Sequence, residues 1–183
     1  EYLPDRAVWS SLLPFVPSLI PVDMTPGTTG ATVRVNGVPI GLALCFDIVS
    51  DQLVRETIAE GAEILIVPSN NADFGDSAQG AQQLAIARVR AMETARSVVN
   101  ASTVGSSAII GPDGAEIATM APFTSSAMVA EAPLSDSVTP AMAVAPWFDR
   151  IGVGVLVLLF AAGAVAGLSS KSSRRSTIPL RHL

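Results

Sequence analysis

The 183 residues predict an α/β protein whose helices are layered on a sheet, and three features of the chain carry that prediction. Helical patterns lie between the early strands, strand pairs joined by tight turns follow, and one uncharged apolar run comes after them.

The first thirty residues are broken by five prolines and two glycines, and read as an extended segment with one short helix near Val8 to Leu13. In "ATVRVNGVPIGLALC" the Asn36-Gly37 pair favours a type I′ turn, so residues 31–35 and 38–45 pair as strands, the second ending at Cys45. Ser50 caps a helix in which Leu53, Val54, Ile58 and Ala59 recur at helical spacing until Gly61 stops it. "EILIVPSN" is a short continuous apolar run, the pattern of a strand covered on both faces. A long helix is expected over 77–99, with Leu84, Ile86, Val89, Met92 and Val99 as its apolar stripe and Arg88, Arg90, Glu93 and Arg96 beside it. "ASTVGSSAIIG", "GPDG" and "AEIATM" then read as strand, turn and strand, with one more strand in "SAMVAEAPL".

Charge divides the chain. Residues 1–150 hold all sixteen acidic residues against seven basic ones, net −9, while the last fifteen hold four basic residues and no acid. Between them "IGVGVLVLLFAAGAVAGL", residues 151–168, carries no charge. At roughly 1.5 Å per residue it makes about 27 Å of helix, close to the hydrocarbon thickness of a bilayer. A transmembrane helix is therefore expected over 147–168, with Trp147 and Phe148 at the interface and the basic tail 169–183 in the cytoplasm. The acidic domain then lies outside the cytoplasm. The tail calls for lipid headgroups, and nothing in it calls for nucleic acid. An opening residue of Glu1 rather than Met is the expectation for a segment of a longer product.

Cys45 is the only cysteine, so it forms no internal disulfide. A turn from a strand into a helix would expose its side chain, and the next backbone N–H groups could stabilise an oxyanion. Free cysteine is also among the most buried residue types, so on these residues alone a nucleophile and a core residue both stand. The only histidine, His182, lies beyond the apolar run, which argues against a Cys-His dyad. Asp47, two residues after the cysteine, and Glu1 leave carboxylate chemistry open. No spacing suits a metal, and neither a metal nor a cofactor is expected. "SNNADFG", which opens on Ser69 and Asn70, ends a strand in small polar residues and Gly75, as crevice-forming loops at the rim of a parallel sheet do.

Taken in order, "EYLP" (1–4), "GLALCFD" (41–47), "IVPSNNADFG" (66–75), "ARVRAMETAR" (87–96) and "IIGPDG" (109–114) resemble the second half of a nitrilase-superfamily domain. With an apolar helix directly after them, they more closely resemble its apolipoprotein N-acyltransferase branch. The resemblance implies a four-layer αββα sandwich, with residues 1–146 forming part of its second half. It also implies a Glu-Lys-Cys triad with an additional glutamate after the lysine. Cys45 matches the nucleophile and Glu1 the additional glutamate, while Phe46, Asp47, Ser69 and Asn70 are candidate supporting or substrate-binding positions. The implied activity belongs to the bacterial plasma membrane. Cys45 would take an acyl chain from a phospholipid donor as a thioester and pass it to the α-amine of a diacylated apolipoprotein.

The branch usually carries Tyr-Glu after the cysteine, where this chain has Phe46 and Asp47. Its only lysine, Lys171, lies in the basic tail. The catalytic lysine and base glutamate are therefore expected in an N-terminal part of the same protein, before Glu1, and the chain alone is expected to be inactive. Two other readings stand beside this one: a membrane-tethered amidase or nitrilase-type hydrolase, and a non-catalytic fragment or partner of a separate first half.

Overall fold

A computed structural model describes residues 6–13, 15–16 and 27–175, with only the backbone at 149 and 164–175. The short helix α1 covers Arg6–Leu12. Strands β1 (Thr32–Val35) and β2 (Val38–Leu42) form the expected hairpin, with Asn36 and Gly37 both at positive φ, as a type I′ turn requires. Helix α2 (Asp51–Ala59) starts at Ser50, whose side chain accepts from the Leu53 N–H at 3.3 Å, and Gly61 follows it at φ 90°. Strand β3 (Ile64–Ser69), helix α3 (Gln79–Thr94) and strand β4 (Ser97–Ser102) come next. Strands β5 (Ser107–Ile110) and β6 (Glu116–Met120) close the sheet through the turn at Gly111 to Gly114. The last element is helix α4 (Pro140–Arg175).

The six strands lie in the order β1-β2-β3-β4-β5-β6. Neighbours β2, β3 and β4 are parallel, and the outer pairs are antiparallel. This follows from the connections, since α2 and α3 each return the chain to start a parallel strand, whereas short turns can only reverse it. One face of the sheet packs on both helices. Leu65, Val67, Val98 and Ile110 meet Val54 and Ile58 of α2 and Ala87 and Ala91 of α3 in a single buried cluster. Gly41 lets α2 approach, because a Cβ there would lie 2.3 Å from Thr57 Cγ2 and 2.6 Å from Leu65 Cδ2.

Five expectations need correction. β3 is not covered on both faces: Leu65, Val67 and Ser69 are buried, Ile64 and Ile66 half-buried, and Pro68 exposed. Among the described residues no second sheet lies against that other face. β2 ends at Leu42, before Cys45. The helix expected over 77–99 stops at Thr94, because Ala95 turns left-handed at φ 51° and Val98 and Val99 join β4. Its buried face also differs in part, since Leu84 and Ile86 of the expected stripe pack on the core but its other helical members do not. Val89 and Met92 are 55% and 50% exposed, while Gln83, Ala87, Arg90, Ala91 and Thr94 face inward. Ala87 and Ala91 pack on the core, while Gln83 and Arg90 find main-chain partners over residues 45–49 and Thr94 donates to the Arg90 carbonyl of its own helix. Finally, residues 126–134 form no strand, having no ladder partner among the described residues.

Beyond β6 the chain is tied back to the sheet. Arg96, only 2% exposed, donates to the carbonyls of Ala62 (2.7 Å), Thr94 (3.0 Å) and Ser137 (2.7 Å). Burial lowers its pKa, an effect partly offset by Asp136 and Glu63. Thr139 caps α4, accepting from Met142 N–H at 3.1 Å and donating to the Glu93 carbonyl at the end of α3. Met142 packs on the core. Helix α4 then runs unbroken through both expected boundaries, 146/147 and 168/169, with Pro146 inside it. Its stretch Pro140–Gly163 is long and apolar enough to cross a bilayer, and the most apolar eighteen-residue window within it is not buried in the protein. Arg150 lies over the Trp147 ring, 5.5 Å from its centroid. Residues 176–183 of the basic tail lie outside the described residues.

Candidate active site

Cys45 stands where the chain leaves β2. The ladder continues as far as Ala43, whose N–H donates to the Ile66 carbonyl at 3.0 Å. Cys45 then adopts φ 53° and opens a 3₁₀ turn over Cys45–Val49 that leads directly to the Ser50 cap of α2. A left-handed backbone is unfavourable for a residue with a Cβ, so the surrounding contacts must hold it.

Four side chains fix this turn. Ile48 is fully buried in the core and anchors it. Asp47 accepts the Leu44 N–H on its carboxylate at 3.2 Å, closing the turn just ahead of the cysteine. Arg90 of α3 donates through Nε to the Ile48 carbonyl at 2.9 Å and through Nη2 to the Val49 carbonyl at 2.8 Å. The Arg90 guanidinium also pairs with Asp51 and with Glu93, the latter at 2.5 Å. Burial alone would lower the Arg90 pKa, but these two carboxylates outweigh it and raise the value, so the charge is secure. Gln83, one further polar residue on the buried face of α3, donates through Nε2 to the Cys45 carbonyl at 3.0 Å and to Ser69 Oγ at 2.6 Å.

The thiol is half-buried and borders a concavity of about 420 Å³. Phe46, Val49, Phe74 and Ile86 give it apolar walls, and Gln79, Gln82 and Gln83 line the rest. Phe46 is 74% exposed and forms part of the rim. Two backbone donors precede the first internal bond of the turn, in which Asp47 N–H donates to the Leu44 carbonyl at 3.0 Å. They are the N–H groups of Cys45 and Phe46, which the start of a helix leaves without an internal partner. The arrangement suits nucleophilic attack by the thiol on a carbonyl carbon, with donors beside the developing oxyanion and an apolar surface for the rest of the substrate.

The structure gathers some of the candidate residues and separates others. Cys45, Phe46 and Asp47 share the turn, and Ser69, buried at the end of β3, joins them through Gln83. Asn70 does not touch this cluster. Its Oδ1 accepts from Thr103 Oγ1 at 2.8 Å and from Ala72 N–H at 3.3 Å, which ties the loop after β3 to the loop after β4. Glu1 lies outside the described residues. Gln83 is absent from the sequence-based candidates, and Arg90 enters there only as a helix-surface charge. The signal was their spacing, seven residues apart, which puts both on one face of a helix.

Residues 1–139 match the family model described as carbon-nitrogen hydrolase. The chain is similar to the apolipoprotein N-acyltransferase of Mycolicibacterium smegmatis, 40% identical over 163 residues that cover 88% of this chain and 27% of that protein. It is also similar to the apolipoprotein N-acyltransferases of Shewanella oneidensis (26% identical, covering 96% of this chain and 32% of that protein) and Haemophilus ducreyi (30%, covering 72% and 26%). The chain thus spans about a quarter to a third of the length of these relatives. Among solved structures, Saccharomyces cerevisiae Nit3, a member of branch 10 of the nitrilase superfamily, aligns over 56% of this chain and 40% of its own at a TM-score of 0.47 and 21% identity.

Proposed function

The chain belongs to the carbon-nitrogen hydrolase family, and from that premise we propose that it carries the nucleophilic part of an apolipoprotein N-acyltransferase site. The single observation that carries the proposal is the placement of Cys45, at a left-handed turn beside an apolar concavity, in a chain that continues into an exposed apolar helix.

In the proposed reaction the Cys45 thiolate attacks the ester carbonyl of a phospholipid. The carbonyl π electrons move to oxygen, and the Phe46 N–H is an available donor for that oxyanion. Collapse breaks the ester C–O bond, leaving a Cys45 thioester and a lyso-phospholipid whose oxygen takes a proton. The α-amine of a diacylated apolipoprotein then attacks the thioester carbonyl. The C–S bond breaks, the amine loses a proton to a base, and an amide forms while the thiolate is restored. Asp47 acts here by holding the turn, and Phe46 offers an apolar rim to the acyl chain. Glu1 takes the position of the additional glutamate.

A base and a cation are still required to deprotonate the thiol and stabilise the oxyanion. The only lysine of the chain is Lys171, near the far end of α4, so this proposal draws the catalytic lysine and the base glutamate from sequence before Glu1. Residues 147–168 are proposed to span the bacterial plasma membrane, with the acidic domain outside the cytoplasm and the tail inside, which keeps both lipid substrates within reach of the site. A hydrolase acting on small amides is the second reading, favoured by the family description itself. Incubating the full-length protein with phospholipid and a diacylated lipopeptide separates the two. Lyso-phospholipid and N-acylated lipopeptide in equal amounts support the transferase, and ammonia from small amides with no lipid turnover supports the hydrolase.

A further inference from the structure

We infer that Gln83 is a positioning residue for the acylation step, acting through the peptide plane that joins Cys45 to Phe46. Gln83 is 7% exposed, and its Nε2 bridges the Cys45 carbonyl at 3.0 Å and Ser69 Oγ at 2.6 Å. The carbonyl of one residue and the N–H of the next lie in one rigid plane and point in opposite directions. A donor that pins the Cys45 carbonyl therefore also fixes where the Phe46 N–H points, and it points away from Gln83. Among the described residues that N–H has no protein acceptor. It is held without being used, as a donor kept for an oxyanion must be.

The conformation needs such a hold. Cys45 sits at φ 53°, an uncommon region for a residue with a side chain, and the peptide plane after it turns about ψ of Cys45 and φ of Phe46 unless a contact holds it. Such a rotation would turn the Phe46 N–H away from the thiol and bring the Cys45 carbonyl in its place. Gln83 resists it with a neutral donor, which leaves the charge of the thiolate undisturbed. Its own Oε1 is buried with no partner, so the amide gives up one hydrogen bond to keep this orientation. Arg90 serves the same turn differently: it grips the Ile48 and Val49 carbonyls, three and four residues further on, and holds the fold rather than the reacting end.

The inference rests on the proposed acylation of Cys45, and its test separates the two. In the full-length protein, Gln83→Leu and Gln83→Met both remove the donor, the second filling the site with a flexible chain of similar length. Three rates are compared with wild type: acyl-adduct formation on Cys45 from phospholipid, acylation by p-nitrophenyl butyrate, and alkylation by iodoacetamide. The first two pass through an oxyanion and the third, a direct displacement at carbon, does not. Losing the orientation of one oxyanion donor lowers both acylation rates by roughly 30-fold or more and leaves alkylation within about threefold. Acylation within about threefold of wild type in either folded variant, or alkylation falling in parallel with acylation, overturns the inference. Should phospholipid fail to acylate the wild type while the nitrophenyl ester still shows the Gln83 dependence, the transferase reading fails and the role of Gln83 stands.

Discussion

Gln83 and Arg90 stand two turns apart on α3 and hold opposite ends of one turn, Gln83 at the Cys45 carbonyl and Arg90 at the Ile48 carbonyl. The neutral amide meets the reacting residue, and the charge sits where its two carboxylate partners neutralise it. The difference predicts different phenotypes for the two positions.

Arg90→Met strands the carbonyls of Ile48 and Val49 and unpairs Glu93, costing about 3 kcal/mol of stability. Arg90→Lys restores little, because a single ammonium cannot reproduce the forked contacts to two carbonyls and two carboxylates. Thermal unfolding in detergent checks both. A variant as stable as wild type would contradict the assignment of Arg90 as the structural grip.

At Asp47 the contact is an accepted hydrogen bond from Leu44 N–H, with the carboxylate otherwise exposed. Asp47→Asn keeps an acceptor oxygen and is expected to retain acylation of Cys45 within about threefold, whereas Asp47→Ala loses the closure, about 1 kcal/mol by analogy with capping side chains. Equal damage from both substitutions, measured as the acylation rate, would show that the charge rather than the acceptor matters.

How far the sequence could be read depended on how local the cause was. Asn36-Gly37, the Ser50 cap and the stop at Gly61 are decided by neighbouring residues, and all three appear as expected. The end of α3 is not legible, because Ala95 takes a left-handed conformation that alanine does not advertise, and apolar residues continue at helical spacing to Val99. Gln83 and Arg90 were hidden for a related reason. Their partners are carbonyls some forty residues away in sequence, and a polar residue on a helix normally reads as solvated. The strand expected in "SAMVAEAPL" and the expected cover over Ile64 and Ile66 both need ladder or packing partners that the described residues do not contain.

Close approach of α2 to the sheet gives a test of packing independent of the site. Gly41→Ala puts a methyl group against Thr57 and Leu65 at distances no real Cβ occupies. Overpacking of this kind costs about 1–3 kcal/mol, read as a lowered unfolding temperature, and an unchanged value would contradict the described contact between β2 and α2.

For α4, the exposed apolar surface predicts integration into a bilayer. Leu158→Lys places a charge near the middle of the uncharged run at an insertion cost of about 3 kcal/mol. The measurement is glycosylation-site or protease mapping of the basic tail in the full-length protein. The expected outcome is a cytoplasmic tail in the wild type and a large fraction shifted to the other side in the variant; identical mapping for both would contradict the span.

The most direct measurement is intact mass and peptide mapping of the full-length protein after incubation with phospholipid. The expected result is one added acyl chain as a hydroxylamine-labile thioester on the peptide containing Cys45, absent from Cys45→Ala and discharged by a diacylated lipopeptide. An adduct equally abundant in Cys45→Ala, or none in the wild type, would contradict it.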